Sequence, residues 1–65
     1  MEPTLKKKFS LKVLRTAFEL RIQEGNSFSQ ILSAAKEIPP DATLTKICQD
    51  GIFVELTFTE EKSDQ

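Results

Sequence analysis

Histidine, tryptophan and tyrosine are missing from this 65-residue sequence, and cysteine occurs once. Each gap removes a class of chemistry. Without histidine the usual acid–base group of neutral pH is gone, and only carboxylates, lysines and one thiol remain. Cys48 therefore has no imidazole to activate it, and on an apolar strand burial would raise its pKa rather than create a thiolate. Tetrahedral zinc sites of the cysteine and histidine type lack their ligands, and a lone cysteine forms no disulfide within the chain. The two glycines, Gly25 and Gly51, stand too far apart to build a phosphate cradle. Asp41, Asp50 and Glu55 each have a structural explanation, in a turn, in a hairpin loop and beside Lys46. These gaps predict a protein that is not an enzyme and carries neither metal nor cofactor.

Long apolar runs are also lacking, and nothing approaches the roughly 20 residues that cross a bilayer. After Lys6, Lys7 and Lys8 the stretch from Leu11 to Ile22 is interrupted by Lys12, Arg15, Glu19 and Arg21. An exported leader would be uncharged there, so a cytoplasmic protein without a membrane partner is expected.

What is present suits one small soluble domain: 38% hydrophobic and 29% charged residues. At this size burial and chain entropy nearly cancel, and disulfides, metals or oligomerisation usually make up the difference. The first two lack their residues here, which leaves self-association. The net charge of −1 is unevenly placed. Lys6, Lys7, Lys8, Lys12, Arg15 and Arg21 crowd the front, and acidic residues dominate from Glu37 onward. Such asymmetry suits an anionic partner, head-to-tail packing or plain solubility.

Two periodicities compete in the first segment. At 100° per residue, Leu11, Leu14, Phe18 and Ile22 share a stripe widened by Val13, Ala17 and Leu20, with Ser10 as N-cap and Gly25-Asn26 as the stop. At strand period, Phe9, Leu11 and Val13 alternate with polar residues, as do Phe18, Leu20 and Ile22. Good helix formers and the absence of turn residues between the two alternating halves predict a helix over Ser10 to Glu24. A second helix is expected over Ser27 to Glu37. There Ser27 and Gln30 form a capping box, Phe28, Ile31, Leu32, Ala35 and Ile38 share one face, and Pro39-Pro40 forbid continuation.

From Asp41 onward, β-branched and aromatic residues predict strands over Thr43 to Gln49 and Ile52 to Thr59 around an Asp50-Gly51 type I′ turn. That turn sets Gln49 opposite Ile52, Ile47 opposite Val54, Thr45 opposite Leu56 and Lys46 opposite Glu55. One face then carries Ile47, Ile52, Val54, Leu56 and Phe58 and should lie on the helices. The other carries Leu44, Cys48 and Phe53 around the charge pair, with Thr57.

The fold expected is α+β, a helical hairpin packed on a C-terminal antiparallel β-hairpin, with dimerisation as one way to extend the sheet. Residues 1–9 form a basic arm, 10–59 the domain and 60–65 an acidic flexible tail. Leu44, Cys48, Phe53, Glu55 and Thr57 are the expected partner or oligomer interface. A fold-over of Leu5 to Phe9 onto the same face is the monomeric alternative. Lys6, Lys7, Lys8, Lys12 and Arg15 are a candidate anion site on the exposed side of the first helix. The near-neutral total and the lack of tyrosine and tryptophan place nucleic acid behind a protein or small anionic ligand as the partner.

The run Ile38-Pro39-Pro40-Asp41-Ala42 follows a Ser-capped helix and precedes a hairpin ending Val54-Glu55-Leu56-Thr57-Phe58. This pattern resembles small uncharacterised proteins of phages and bacteria. The resemblance implies an accessory or counter-defence protein that occupies or sequesters a host factor or ligand, and it brings no active-site residue.

Overall fold

The computed structural model describes residues 2–61. They form two β-hairpins joined by a short helical crossover: β1 (Thr4–Ser10), β2 (Arg15–Gln23), α1 (Phe28–Ala34) with a 3-10 turn over Ala35–Glu37, β3 (Thr43–Asp50) and β4 (Phe53–Glu61). The four strands make one sheet in the order β1-β2-β4-β3, antiparallel at every pairing. β2 and β3 are thus parallel to each other with β4 between them, and the segment carrying α1 connects them across the sheet.

The first predicted helix does not exist. Residues 10–24 contain the end of β1, a four-residue turn and all of β2, so the expected helical hairpin is replaced by a β-hairpin. Strand period wins because it separates polar from apolar more cleanly than helical period does. Along β2, Phe18, Leu20 and Ile22 share one face, while Arg15, Glu19, Arg21 and Gln23 share the other. Helix propensity is worth only tenths of a kcal/mol per residue, and β2 gains a strand partner on each side. The turn over residues 11–14 contains no glycine, proline or asparagine, so no turn residue marks it in the sequence. Leu14 makes the reversal at φ 49°, a left-handed conformation that costs a non-glycine residue roughly 1–2 kcal/mol.

The basic residues 4–9 are therefore a paired strand rather than a free arm, and they lie alongside β2 rather than folding over a sheet face. Glu60 and Glu61 close β4; the rest of the expected tail, residues 62–65, lies outside the described residues. The Ser27 helix is present with both capping-box bonds: the Gln30 amide donates to Ser27 Oγ at 3.2 Å, and the Ser27 amide donates to Gln30 Oε1 at 2.9 Å. It ends before Pro39-Pro40 as expected.

The C-terminal hairpin forms with its register displaced by two residues. Asp50 faces Phe53, Gln49 faces Val54, Cys48 faces Glu55 and Ile47 faces Leu56, leaving Gly51-Ile52 as the loop. Gly51 has φ 64° and Ile52 keeps a negative φ, the type II′ requirement of glycine at the first loop position. A displacement by two preserves the side-chain faces, so Ile47 still shares a face with Val54 and Leu56. The Lys46–Glu55 pair is lost, because Lys46 stands opposite Thr57. A bulge at Thr45 then moves Leu44 onto the Ile47 face, opposite Phe58. The Thr45 hydroxyl ties the bulge to β4, 3.3 Å from the Thr57 carbonyl oxygen and 2.9 Å from the Thr59 hydroxyl.

Registers across the whole sheet place Leu5, Phe9, Phe18, Leu20, Ile22, Leu44, Ile47, Val54, Leu56 and Phe58 on one apolar face. The opposite face is polar and mixed in charge. Among the described residues, Phe18 at 4% exposure and Leu20 at 3% are the buried core. Replacing Leu20 by alanine should cost about 2–5 kcal/mol in urea unfolding, whereas Leu11→Ala should stay within about 0.5 kcal/mol. Relief of the left-handed strain predicts that Leu14→Gly gains about 0.5–1 kcal/mol in the same assay.

Candidate functional site

Two surfaces were expected to carry function, and the structure redistributes both. The polar face of the sheet holds Cys48, Phe53, Glu55 and Thr57 together, with Arg21 of β2 next to them. Arg21 lays its guanidinium over the Phe53 ring, 4.6 Å from the centroid, a cation–π contact between diagonal neighbours. Arg21, Cys48, Asp50, Phe53 and Glu55 line a depression of about 130 Å³. On the other side of Phe53 an open groove of about 430 Å³ runs past Arg21, Gln23, Thr4 and Glu2. The buried Gln23 Oε1 accepts no hydrogen bond. Its backbone amide donates to Asn26 Oδ1 at 2.7 Å, which anchors the turn through Gly25 that leads into α1.

Leu44 is the exception in the predicted interface, since the bulge sends it to the other face. Cys48 is exposed on an edge strand instead of packed among apolar neighbours. The mixture of Arg21, Glu55, Asp50 and Lys46 around it marks a solvated face, and Phe53 is already partly covered by Arg21.

The anion site is split. Lys6 and Lys8 lie on the polar face, Lys7 lies on the apolar face with its ammonium 5.8 Å from the Phe18 ring centroid, and Lys12 sits in the β1–β2 turn. Lys8 is 3.6 Å from Glu19, and Arg15 donates to Glu61 at 3.2 Å. The five cations share no helix face. Exposed pairs of this kind contribute little stability, yet each places a carboxylate where a phosphate would have to bind.

The surface that sequence reasoning missed is the half of the apolar face over β3 and β4. Cover is deepest at Phe18 and Leu20 on β2, partial at Val54, Leu56 and Phe58 on β4, and least on the two edge strands, where every residue of β3 and every residue of β1 but Leu5 is exposed. Ile47 is 64% exposed at the centre of that strand. Helix length explains the gradient. Seven residues of α-helix span about 10 Å, whereas four strands about 4.8 Å apart, each of seven to nine residues, present a much larger face. Ile31, Ala34, Ala35 and Ile38 are among the half-buried positions of the crossover, and Phe28 and Leu32 look outward. A third apolar group, Leu11, Val13 and Leu14, is exposed in the β1–β2 turn.

Among the described residues no group of acidic and cysteine side chains is placed to hold a metal, and no helix is long and apolar enough to cross a membrane. No family model, curated protein or solved structure matches the chain.

The exposure of Cys48 predicts that Ellman's reagent titrates one thiol per chain in native buffer within minutes, at a rate close to that in urea. Protection that urea relieves would mean that the polar face around Cys48 is covered in solution.

Proposed function

We propose that this chain is a non-enzymatic binding protein that works in a self-associated form, through protein–protein interaction or sequestration of a ligand. One observation carries the reading: the apolar face of the sheet is buried at Phe18 and Leu20 on β2, whereas on β3 every residue is exposed, Leu44 at 45% and Ile47 at 64%. Contiguous exposed apolar surface of this kind marks an interaction site in soluble proteins. The stability argument points the same way, because a core of Phe18 and Leu20 is thin and the single cysteine gives no covalent support.

The absence of histidine from the sequence supports the non-enzymatic reading, since neither Cys48 nor the scattered carboxylates have an activating partner of the usual kind. An exposed unpaired thiol suits a reducing compartment, which supports a cytoplasmic protein acting in solution. Within that setting an accessory or phage-type inhibitor, one that occupies a host factor, remains the role we favour. Nucleic-acid binding has lost its main support, since the helix that was to align Lys6, Lys7, Lys8, Lys12 and Arg15 is a β-hairpin.

Light scattering on a size-exclusion column tests the reading. We expect a mass near twice 7.4 kDa at tens of micromolar. A monomer that persists to high micromolar concentration removes the self-association.

A further inference from the structure

We infer that the outer edge of β1 takes up an extended acidic segment of a partner protein as an added strand, recognised by consecutive carboxylates set between two apolar residues. The inference uses a surface other than the apolar half-face, so it and the self-association proposed above can fail separately.

The sheet has two open edges, and they differ. In the order β1-β2-β4-β3, β1 and β3 each have one strand neighbour among the described residues, so backbone N–H and C=O groups at alternate positions face outward. β3 is broken by the register shift between Leu44 and Lys46, which bends the strand and interrupts the addition of another. β1 is regular. Its residues pair one to one with β2 from Thr4 opposite Arg21 to Ser10 opposite Arg15, without bulge, glycine or proline, and all but Leu5 are exposed.

The side chains of β1 define what fits there. Lys6 and Lys8 stand on the polar face of the sheet, and Leu5, Lys7 and Phe9 stand on the apolar face. Residues 4–10 hold no carboxylate, so a strand laid along this edge meets three positive charges in a row. Glu19, 3.6 Å from Lys8, belongs to β2 on the inner side, and the Lys8 side chain is still 65% exposed. Lys7 also leans inward, with its ammonium 5.8 Å from the Phe18 ring centroid. Both ammonium groups ride on flexible stems that a cross-strand neighbour reaches, since Cβ atoms of facing residues lie about 4.5–5.5 Å apart.

Carboxylates directly opposite Lys6, Lys7 and Lys8 pair with them, and apolar side chains at the flanking positions cover Leu5 and Phe9, the latter 52% exposed. The order Leu5-Lys6-Lys7-Lys8-Phe9 gives the same pattern of apolar and charged residues in both directions, so a parallel or an antiparallel strand satisfies it. Lysines on an edge repel a second copy aligned there. The same charges attract a strand of opposite sign, with main-chain hydrogen bonds supplying affinity and alternate side chains supplying specificity.

Fluorescence anisotropy on the full chain tests this with a labelled peptide containing Val-Glu-Asp-Glu-Val. In about 50 mM salt it should bind with a Kd of about 10–100 μM, and weaken about fivefold or more at about 0.5 M salt. Methylating alternate peptide nitrogens, in either phase, leaves the charge unchanged; one of the two phases should bind about tenfold weaker or more, because it loses the ladder bonds. The isomer Glu-Val-Asp-Val-Glu, with all three acids on one face, should bind about fivefold weaker or more. Lys6→Thr, Lys7→Thr and Lys8→Thr combined keep strand-forming residues and should cost about tenfold or more. Circular dichroism checks that this variant folds, and the peptide comparisons on the wild-type chain carry the test where it does not. Hydrogen exchange followed by NMR should slow at amides of β1 when the peptide binds, and stay unchanged on β3.

No anisotropy change up to about 1 mM peptide overturns the inference and leaves the lysines as a guard against strand addition. Equal binding of the two isomers, or of both methylated forms and the unmodified peptide, overturns it as attraction of charge alone. Protection on β3 instead of β1, or tighter binding of a single-stranded oligonucleotide of the same net charge, overturns it as well.

Discussion

The pairing of β2 with β4 holds this small protein together. It joins strands of nine residues each, with partners such as Arg15 and Glu61 lying 46 positions apart in the sequence. Each hairpin alone would be marginal in water, because two strands give too little apolar surface to offset the ordering of the chain. Docking β2 against β4 places Phe18 opposite Phe58 and Leu20 opposite Leu56, and the core forms at that seam. It also fixes which strands become edges. β1 and β3 are outermost because β2 and β4 are central, and the connection through α1 must cross the sheet to reach β3.

That topology sets a limit on burial. Among the described residues one short helix is the only element besides the sheet, too short for an apolar face four strands wide, and the side chains removed furthest from water are Phe18 and Leu20 on β2. The edge strands keep the least cover. The exposed Leu44 and Ile47 follow from geometry as much as from composition, since the same side chains under a longer helix would be ordinary core. The bare half-face is where the physical account of stability and the proposed account of function meet.

The polar face behaves differently. Its neighbours alternate in sign: Lys8 with Glu19, Arg15 with Glu61, Arg21 over Phe53. These contacts are exposed and contribute little energy, yet they keep that face solvated. The cluster of Cys48, Phe53, Glu55 and Thr57 was legible in the sequence as four residues on one face of a hairpin. Its surroundings were not, because Arg21 arrives from a strand whose existence the sequence reading had replaced with a helix.

Local chemistry determined a good deal. The Ser27 capping box, the stop at Pro39-Pro40, the C-terminal hairpin and the faces of most of its residues all depend on interactions within about a dozen positions, and all are readable from residue order. The sequence also determined the missing chemistry, since no fold can supply histidine or a second thiol. Tertiary structure decided the rest. Residues 10–24 carry both periods, and the choice between them was made by β4, which offers β2 a second ladder of hydrogen bonds that a helix could not use. The register of the last hairpin shifted because the Gly51-Ile52 loop needs a positive φ only at glycine, whereas the Asp50-Gly51 loop would need one at Asp50 as well. The bulge that moves Leu44 across the sheet is likewise a property of β3 paired with β4, and only in that pairing does a bare apolar half-face come into being.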